Sequence, residues 1–179
     1  MRRALYILGL LTDEDIEWIV GNGEREPLTP GTKIITEGQP LDSIFILVEG
    51  KLVAHLEQNN RQLSELGPGE LLGEISLLDS RPPTVSVSAL EESLVIRLPR
   101  SRLFTKLESD TGFAARFYKA LGVFLAQRLR QTTASMGTVK EGELDDEMGD
   151  EIDPDALERL ALAGKRFHWI IEKLKDAAP

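Results

Sequence analysis

GPGELLGEISLLDSRPPTVSVSAL, residues 67–90, is the stretch whose reading decides the rest of the chain. Gly67, Pro68 and Gly69 make a turn, and Gly73-Glu74 opens a short apolar turn. Arg81-Pro82-Pro83-Thr84 breaks that turn, and Thr84 to Leu90 then alternates as a strand does. The spacing suggests a ligand site as well as a core, with a concavity suited to a small anion.

Outward from this stretch, turn residues recur roughly every eight to twelve residues from Pro30 onward, with short alternating runs between them, the sequence form of a sandwich or barrel. The predicted strands are Lys33 to Glu37, Ser43 to Val48, Lys51 to Leu56, Gln62 to Leu66, Thr84 to Leu90 and Ser93 to Leu98. Glu49-Gly50 forms a tight hairpin turn between two of them, and Asn59-Asn60 a second turn in which Asn tolerates left-handed angles. His55 reads as one face of an alternating strand. The fold class is therefore mainly β with flanking helices, and the β portion spans 30–100.

Residues 1–29 read as an N-terminal helical segment. Thr12-Asp13-Glu14-Asp15 is a helix start with three carboxylates at the positive end of the dipole, and Gly21-Asn22-Gly23 is its end. Ile16, Ile19 and Val20 form its inner face, with Trp18 packed beside them. After Pro99 the apolar period changes from two to about 3.6. A short helix covers Ser101 to Ser109, and a longer one, capped by Asp110 or Thr111, runs to about Ser135 within a 101–136 helical unit. Phe113, Phe117, Leu121, Phe124, Leu125 and Leu129 form one wide stripe on it. Such a stripe needs its own β core or a second copy to cover it. Phe117, Leu121 and Phe124 are the expected dimer contacts.

Residues 137–153 are an acidic linker, too charged to bury a core. A calcium loop is the alternative, but the central Gly and terminal Glu of that pattern are missing. Asp153-Pro154 then starts an amphipathic helix over 154–177, with Leu157, Leu160, Gly164, Phe167, Ile171 and Leu174 at spacings of three and four. This seam is too short to stand alone. It must dock on its own domain or on a partner, with Phe167 and Ile171 as contacts and His168 and Trp169 at the flanks.

Composition bounds the function. One domain plus a tail fits 179 residues. A net charge of -9 argues against a general nucleic-acid binder, which needs a clustered basic surface. The absence of cysteine removes disulfides, thiol nucleophiles and thiolate metal sites, and fits a reducing compartment. The apolar run from Ala4 to Leu11 is too short to span a membrane, so a cytoplasmic protein is expected. With His55 and His168 the only histidines, a metal-dependent β-barrel enzyme is not expected, and neither catalytic residues nor a metal site are predicted.

Gly31, Ile34, Glu37-Gly38, Asp42, Ile44, Ile46, Gly50, Leu52 and Val53, then Gly73-Glu74-Ile75-Ser76-Leu77-Leu78 and Val87-Ser88-Ala89-Leu90, resemble the cyclic-nucleotide-binding domain of catabolite-activator-type regulators, of cyclic-nucleotide-dependent kinases and of channels. The resemblance covers about Leu10 to Gln131. It implies a double-stranded β-helix, or jelly roll, with a phosphate-binding cassette at 73–87 and a dimerisation helix from Phe113 to Arg130. It also implies ligand-binding roles for Gly73, Glu74, Ile75, Ser76, Arg81, Pro83 and Thr84, with Glu74 as acceptor for the ribose 2′-hydroxyl. The family's cassette arginine falls on Pro83 in a gapless register. A second register makes Arg81 that arginine, at the cost of a two-residue deletion and a compensating insertion in the following strand. The family's DNA readers append a helix-turn-helix, and residues 137–179 leave no room for one, so direct DNA binding is not expected.

The expected function is a non-enzymatic second-messenger sensor of bacterial type, a homodimer that binds a cyclic nucleotide such as cyclic AMP, or a cyclic dinucleotide, and signals to a protein partner such as a transcription factor or enzyme. Cyclic di-GMP is a candidate because the usual arginine is displaced and paired arginines suit it; Arg2, Arg3 and Arg81 are the ones available. No bound cofactor other than that ligand is expected. The alternative is a degenerate domain that binds no nucleotide and serves as a protein-interaction module.

Overall fold

Helix α1 (Asp13–Asn22) begins as its sequence requires: the Thr12 hydroxyl accepts from the Asp15 amide at 3.2 Å, and the Asp15 carboxylate accepts from the Thr12 amide at 2.8 Å. This reciprocal pair satisfies two amides that the helix cannot bond itself. Ile16 and Ile19 are buried on its inner face, and Trp18 meets Phe113 edge-on with ring centroids 5.4 Å apart. The computed structural model describes residues 10–59 and 61–136, together with Lys165 and Trp169. The acidic run, Arg2, Arg3, Phe167, Ile171 and most of the predicted 154–177 helix lie outside the described residues.

Eight strands follow α1: β1 (Glu24–Leu28), β2 (Lys33–Ile35), β3 (Ser43–Glu49), β4 (Leu52–Leu56), β5 (Arg61–Leu66), β6 (Leu71–Leu72), β7 (Ser86–Ala89) and β8 (Ser93–Pro99). They form two antiparallel four-stranded sheets, ordered β1-β8-β3-β6 and β2-β7-β4-β5. Gly50 turns β3 into β4 at φ +88°, where any Cβ would collide with Ser93.

The two sheets enclose one core and the helices close a second. In β3, Phe45 and Leu47 point between the sheets, while Ile44, Ile46 and Val48 point toward the helices. β8 divides the same way, with Val95 between the sheets and Leu94, Ile96 and Leu98 on the helical side. Both strands are covered on both faces, which is why SIFILV and SLVIRL carry nearly continuous apolar runs. The helical side is completed by α3 (Arg100–Ser109) and α4 (Thr111–Met136), a short cassette helix, α2 (Glu74–Asp79), having come between β6 and β7. Asp110 joins α3 to α4: it accepts from the Phe113 amide at 2.9 Å and from Lys106 Nζ at 2.8 Å. No described helix is long and apolar enough to cross a membrane.

Three expectations need correction. The N-terminal segment is not helical to residue 29, because Glu24–Leu28 pairs along β8 as an edge strand. Its sequence, EREPL, shows no alternation, since only Leu28 is buried and the edge position tolerates Pro27. β6 is only two residues long and hides in the run that leads into the cassette. Most consequentially, Phe117, Leu121 and Phe124 are not presented to a partner: they are 2–3% exposed and sealed against this chain's own β3, β8 and α1. The outward face of α4 carries Tyr118, Gly122, Ala126 and Leu129 instead.

A bidentate ion pair ties the N-terminal helix to α4. Arg116 donates from Nε to Asp15 Oδ2 at 2.6 Å and from Nη2 to Oδ1 at 2.8 Å. Burial opposes the charged form of Asp15, yet the Arg116 fork and the Thr12 bonds outweigh it and hold the carboxyl below its usual range. A depressed carboxylate lends stability above its unfolded pKa and loses it as pH falls through the folded one. Arg116→Met should therefore lower stability at neutral pH, the partly exposed guanidinium keeping the cost below that of a fully buried pair. The deficit should shrink below about pH 4. Thermal melts of both proteins across that range check this, and a pH-independent deficit would contradict it.

Candidate ligand site

The turn at Gly67–Glu70 delivers the chain to β6, and Gly73 then reverses it into α2. Gly73 takes φ +86°, a left-handed angle that favours glycine, and a Cβ there would push on the Leu41 side chain and stand 3.2 Å from Ser43 O. The amides of the first turn of α2 have no partner within the helix. The helix buries Glu74, Ser76 and Leu77 and leaves Ile75 and Leu78 about half exposed. It ends at Ser80 in the left-handed region, φ 58°, with its amide on Ser76 O at 3.1 Å. Asp79 then accepts from the Arg81 amide at 3.0 Å and fixes the start of the exit loop.

That loop is held by the turn after β2. Gly38 donates its amide to Pro83 O at 2.8 Å, and Glu37 donates to Ser86 Oγ at 2.9 Å. Ser86 in turn donates to Glu57 Oε1 at 2.5 Å, the same oxygen that Lys33 Nζ meets at 2.5 Å. The β7–β4 ladder runs from Leu52↔Ala89 to His55↔Ser86 without a register shift. On its other edge β7 meets β2 with a register shift between Lys33 and Ile35.

Between α2, the exit loop and α4 lies a cavity of about 410 Å³. All seven predicted ligand-binding residues, Gly73, Glu74, Ile75, Ser76, Arg81, Pro83 and Thr84, line it. Ile35, Ala54 and Val87 from the second sheet give it an apolar floor. The size and mix fit a small organic ligand held by a few convergent polar groups. Arg81 is exposed at the rim.

One lining residue was not among those predicted. Arg128, from α4, donates from Nη1 to Glu74 Oε1 at 2.5 Å. The Glu74 side chain is 3% exposed and the Arg128 side chain 31%, so the pair sits at the inner edge of the cavity with the cation toward solvent. Burial pushes the Glu74 carboxyl up, with nearby Glu70 adding to the rise, and Arg128 pulls it back only in part. A signal for Arg128 existed in the sequence: it falls on the Phe117, Leu121, Phe124 side of α4, where a cation is out of place unless something inside meets it.

Known proteins resemble this chain in sequence and fold. A model of the cyclic nucleotide-binding domain matches residues 25–110. The cyclic AMP receptor protein of Thermus thermophilus is 29% identical over 124 residues, which cover 68% of this chain and 56% of that protein. The cAMP-dependent protein kinase regulatory subunit of Colletotrichum orbiculare is 30% identical over 99 residues, covering 55% of this chain and 25% of that protein. Among solved structures, the N-terminal domain of a transcriptional regulator from Streptomyces coelicolor A3(2) matches with 30% identity and a TM-score of 0.58, over 78% of this chain and 99% of that one. The chain spans between a quarter and just over half the length of the first two of these. The matched stretch runs from β1 to the end of α3 and includes the whole cassette, and the chain belongs to the cyclic nucleotide-binding domain family.

Proposed function

We propose that this protein is a regulatory sensor, without catalysis of its own, in which a cyclic mononucleotide occupies the 410 Å³ cavity and acts on α4. The observation that carries the reading is the buried Glu74 carboxylate, presented to an open cavity and matched by a single guanidinium from α4. A carboxylate in that position accepts from a ribose 2′-hydroxyl, and the first-turn amides of α2 with Arg81 supply donors for a cyclic phosphate. Ile35, Ala54 and Val87 offer the sugar and base an apolar wall. Two of the similar proteins are named for cyclic AMP, which supports it as the first ligand to try.

Pro83 tempers the affinity. A guanidinium fork on the phosphate is worth on the order of 1.5–3 kcal/mol, so its replacement costs roughly ten- to a hundredfold unless Arg81 substitutes. The same residue supports the second reading, a domain that binds no nucleotide and serves as an interaction module. Cyclic di-GMP, with two phosphates and two bases, would extend past the cavity and call on further arginines. The outward Tyr118, Gly122 and Leu129 on α4 are the proposed homodimer contacts, in place of the buried phenylalanines. The signal passes from α4 to a protein partner.

Calorimetry on the full chain with cyclic AMP, cyclic GMP and cyclic di-GMP tests the reading. A cyclic mononucleotide should bind at one site per chain, and Glu74→Gln or Arg81→Ala should weaken it by roughly tenfold or more. Silence with all three ligands would leave the interaction-module reading, and binding indifferent to both substitutions would move the site elsewhere.

Glu74 also makes a stability prediction. Its raised pKa means that its contribution is full below the unfolded value and is lost as pH rises through the folded one. Glu74→Gln keeps the shape without the charge, so its melting temperature should gain on the wild type across the range from about pH 4 upward. A difference that is flat across that range, or that falls, would contradict the burial argument.

A further inference from the structure

The core on the helical side has a rim of partly buried side chains that includes Trp18, Phe104, Leu125 and, from far along the chain, Trp169. Trp169 is helical and half-buried, while Lys165, one turn earlier, is helical and exposed. An indole is the largest apolar surface a single side chain can offer. Here it rests on the cluster built from α1, α3, α4 and the outer faces of β3 and β8. Nothing in the cyclic-nucleotide reading of the cavity accounts for it.

We propose that this helical face is the docking surface for the C-terminal segment of the same chain, with Trp169 as its anchor. The reach is sufficient. α4, at 26 residues, spans about 39 Å, and a chain of the length that separates Met136 from Trp169 extends to more than twice that at about 3.3 Å per residue. Docking in cis resolves the choice left open by the sequence, where the last segment had to find either its own domain or a partner. It also gives the segment a physical connection to the cavity. Trp169 packs on the cluster that contains Phe117, Leu121 and Phe124, and the same helix carries Arg128 to Glu74. A displacement of α4 by ligand would be felt at the anchor.

The chain has two tryptophans, so Trp18→Phe leaves Trp169 as the sole indole while keeping an aromatic ring against Phe113. In the full-length variant, Trp169 emission should be blue-shifted and its acrylamide quenching several-fold weaker than in the urea-unfolded chain, and neither should change on dilution. Emission and quenching like those of the unfolded chain would overturn the proposal. Shielding that disappears on dilution would overturn it too, by assigning the surface to a second copy. Should Trp18→Phe not fold, amide-type NMR of the wild type reads the same quantity: the Trp169 indole N–H, assigned by its loss in Trp169→Phe, should exchange with solvent far more slowly than in urea, and equal rates would refute the docking. Both readouts are made without nucleotide, so neither depends on whether the cavity binds one.

Discussion

One carboxylate and one guanidinium, 54 residues apart in sequence and 2.5 Å apart in space, tie the cassette to the long helix. Glu74 is buried because Gly73 turns the chain inward at an angle only glycine takes freely, with Leu41 against its back. Arg128 reaches it because α4 is pressed onto the outer face of β3 and β8 by Phe113, Phe117, Leu121 and Phe124. Burying an ion pair contributes little net stability and a good deal of geometric definition. Its raised carboxyl pKa is the trace of that cost. The cavity takes its inner edge from this pair, and its rim from a loop that Gly38, Ser86 and Glu57 hold from the other side.

The loop shows how much a single substitution matters. The cassette keeps its glycine, its acid and its short helix, but Pro83 stands where a gapless register puts the family's arginine. Arg81 lines the same cavity from two residues earlier. Pro83 has no amide proton, and its carbonyl is spent on Gly38, so backbone at that position cannot replace the lost fork. The affinity proposed for the site therefore rests on Glu74, Arg81 and the α2 amides.

Much of this was legible from residue patterns, and the omissions have physical causes. Strands β2 to β5, β7 and β8 were readable because turn residues punctuate them and most alternate or run apolar between turns. The cassette helix was legible through the family resemblance of Gly73-Glu74-Ile75-Ser76-Leu77-Leu78. The start of α1 was readable from Thr12 and the three carboxylates after it. β1 was not, because an edge strand with one buried residue leaves no period to detect. The stripe on α4 was found, but what covers it was misjudged: periodicity says that a face is buried and is silent on by whom, and the chain's own sheet took the phenylalanines assigned to a dimer. Arg128 was missed although its place on the buried side of α4 marked it, because the partner that explains it lies on a different element.

The account stands most directly on the proposed use of Glu74 as a ribose acceptor. That role predicts discrimination at a single oxygen of the ligand. Titrating the full chain with cyclic AMP and with its 2′-deoxy analogue isolates it, since the two ligands share base, phosphate and ring and differ in that hydroxyl alone. The deoxy compound should bind roughly tenfold or more weakly, and Glu74→Gln should shrink the gap between the two. Equal affinities for the two ligands in the wild-type protein would contradict the assignment.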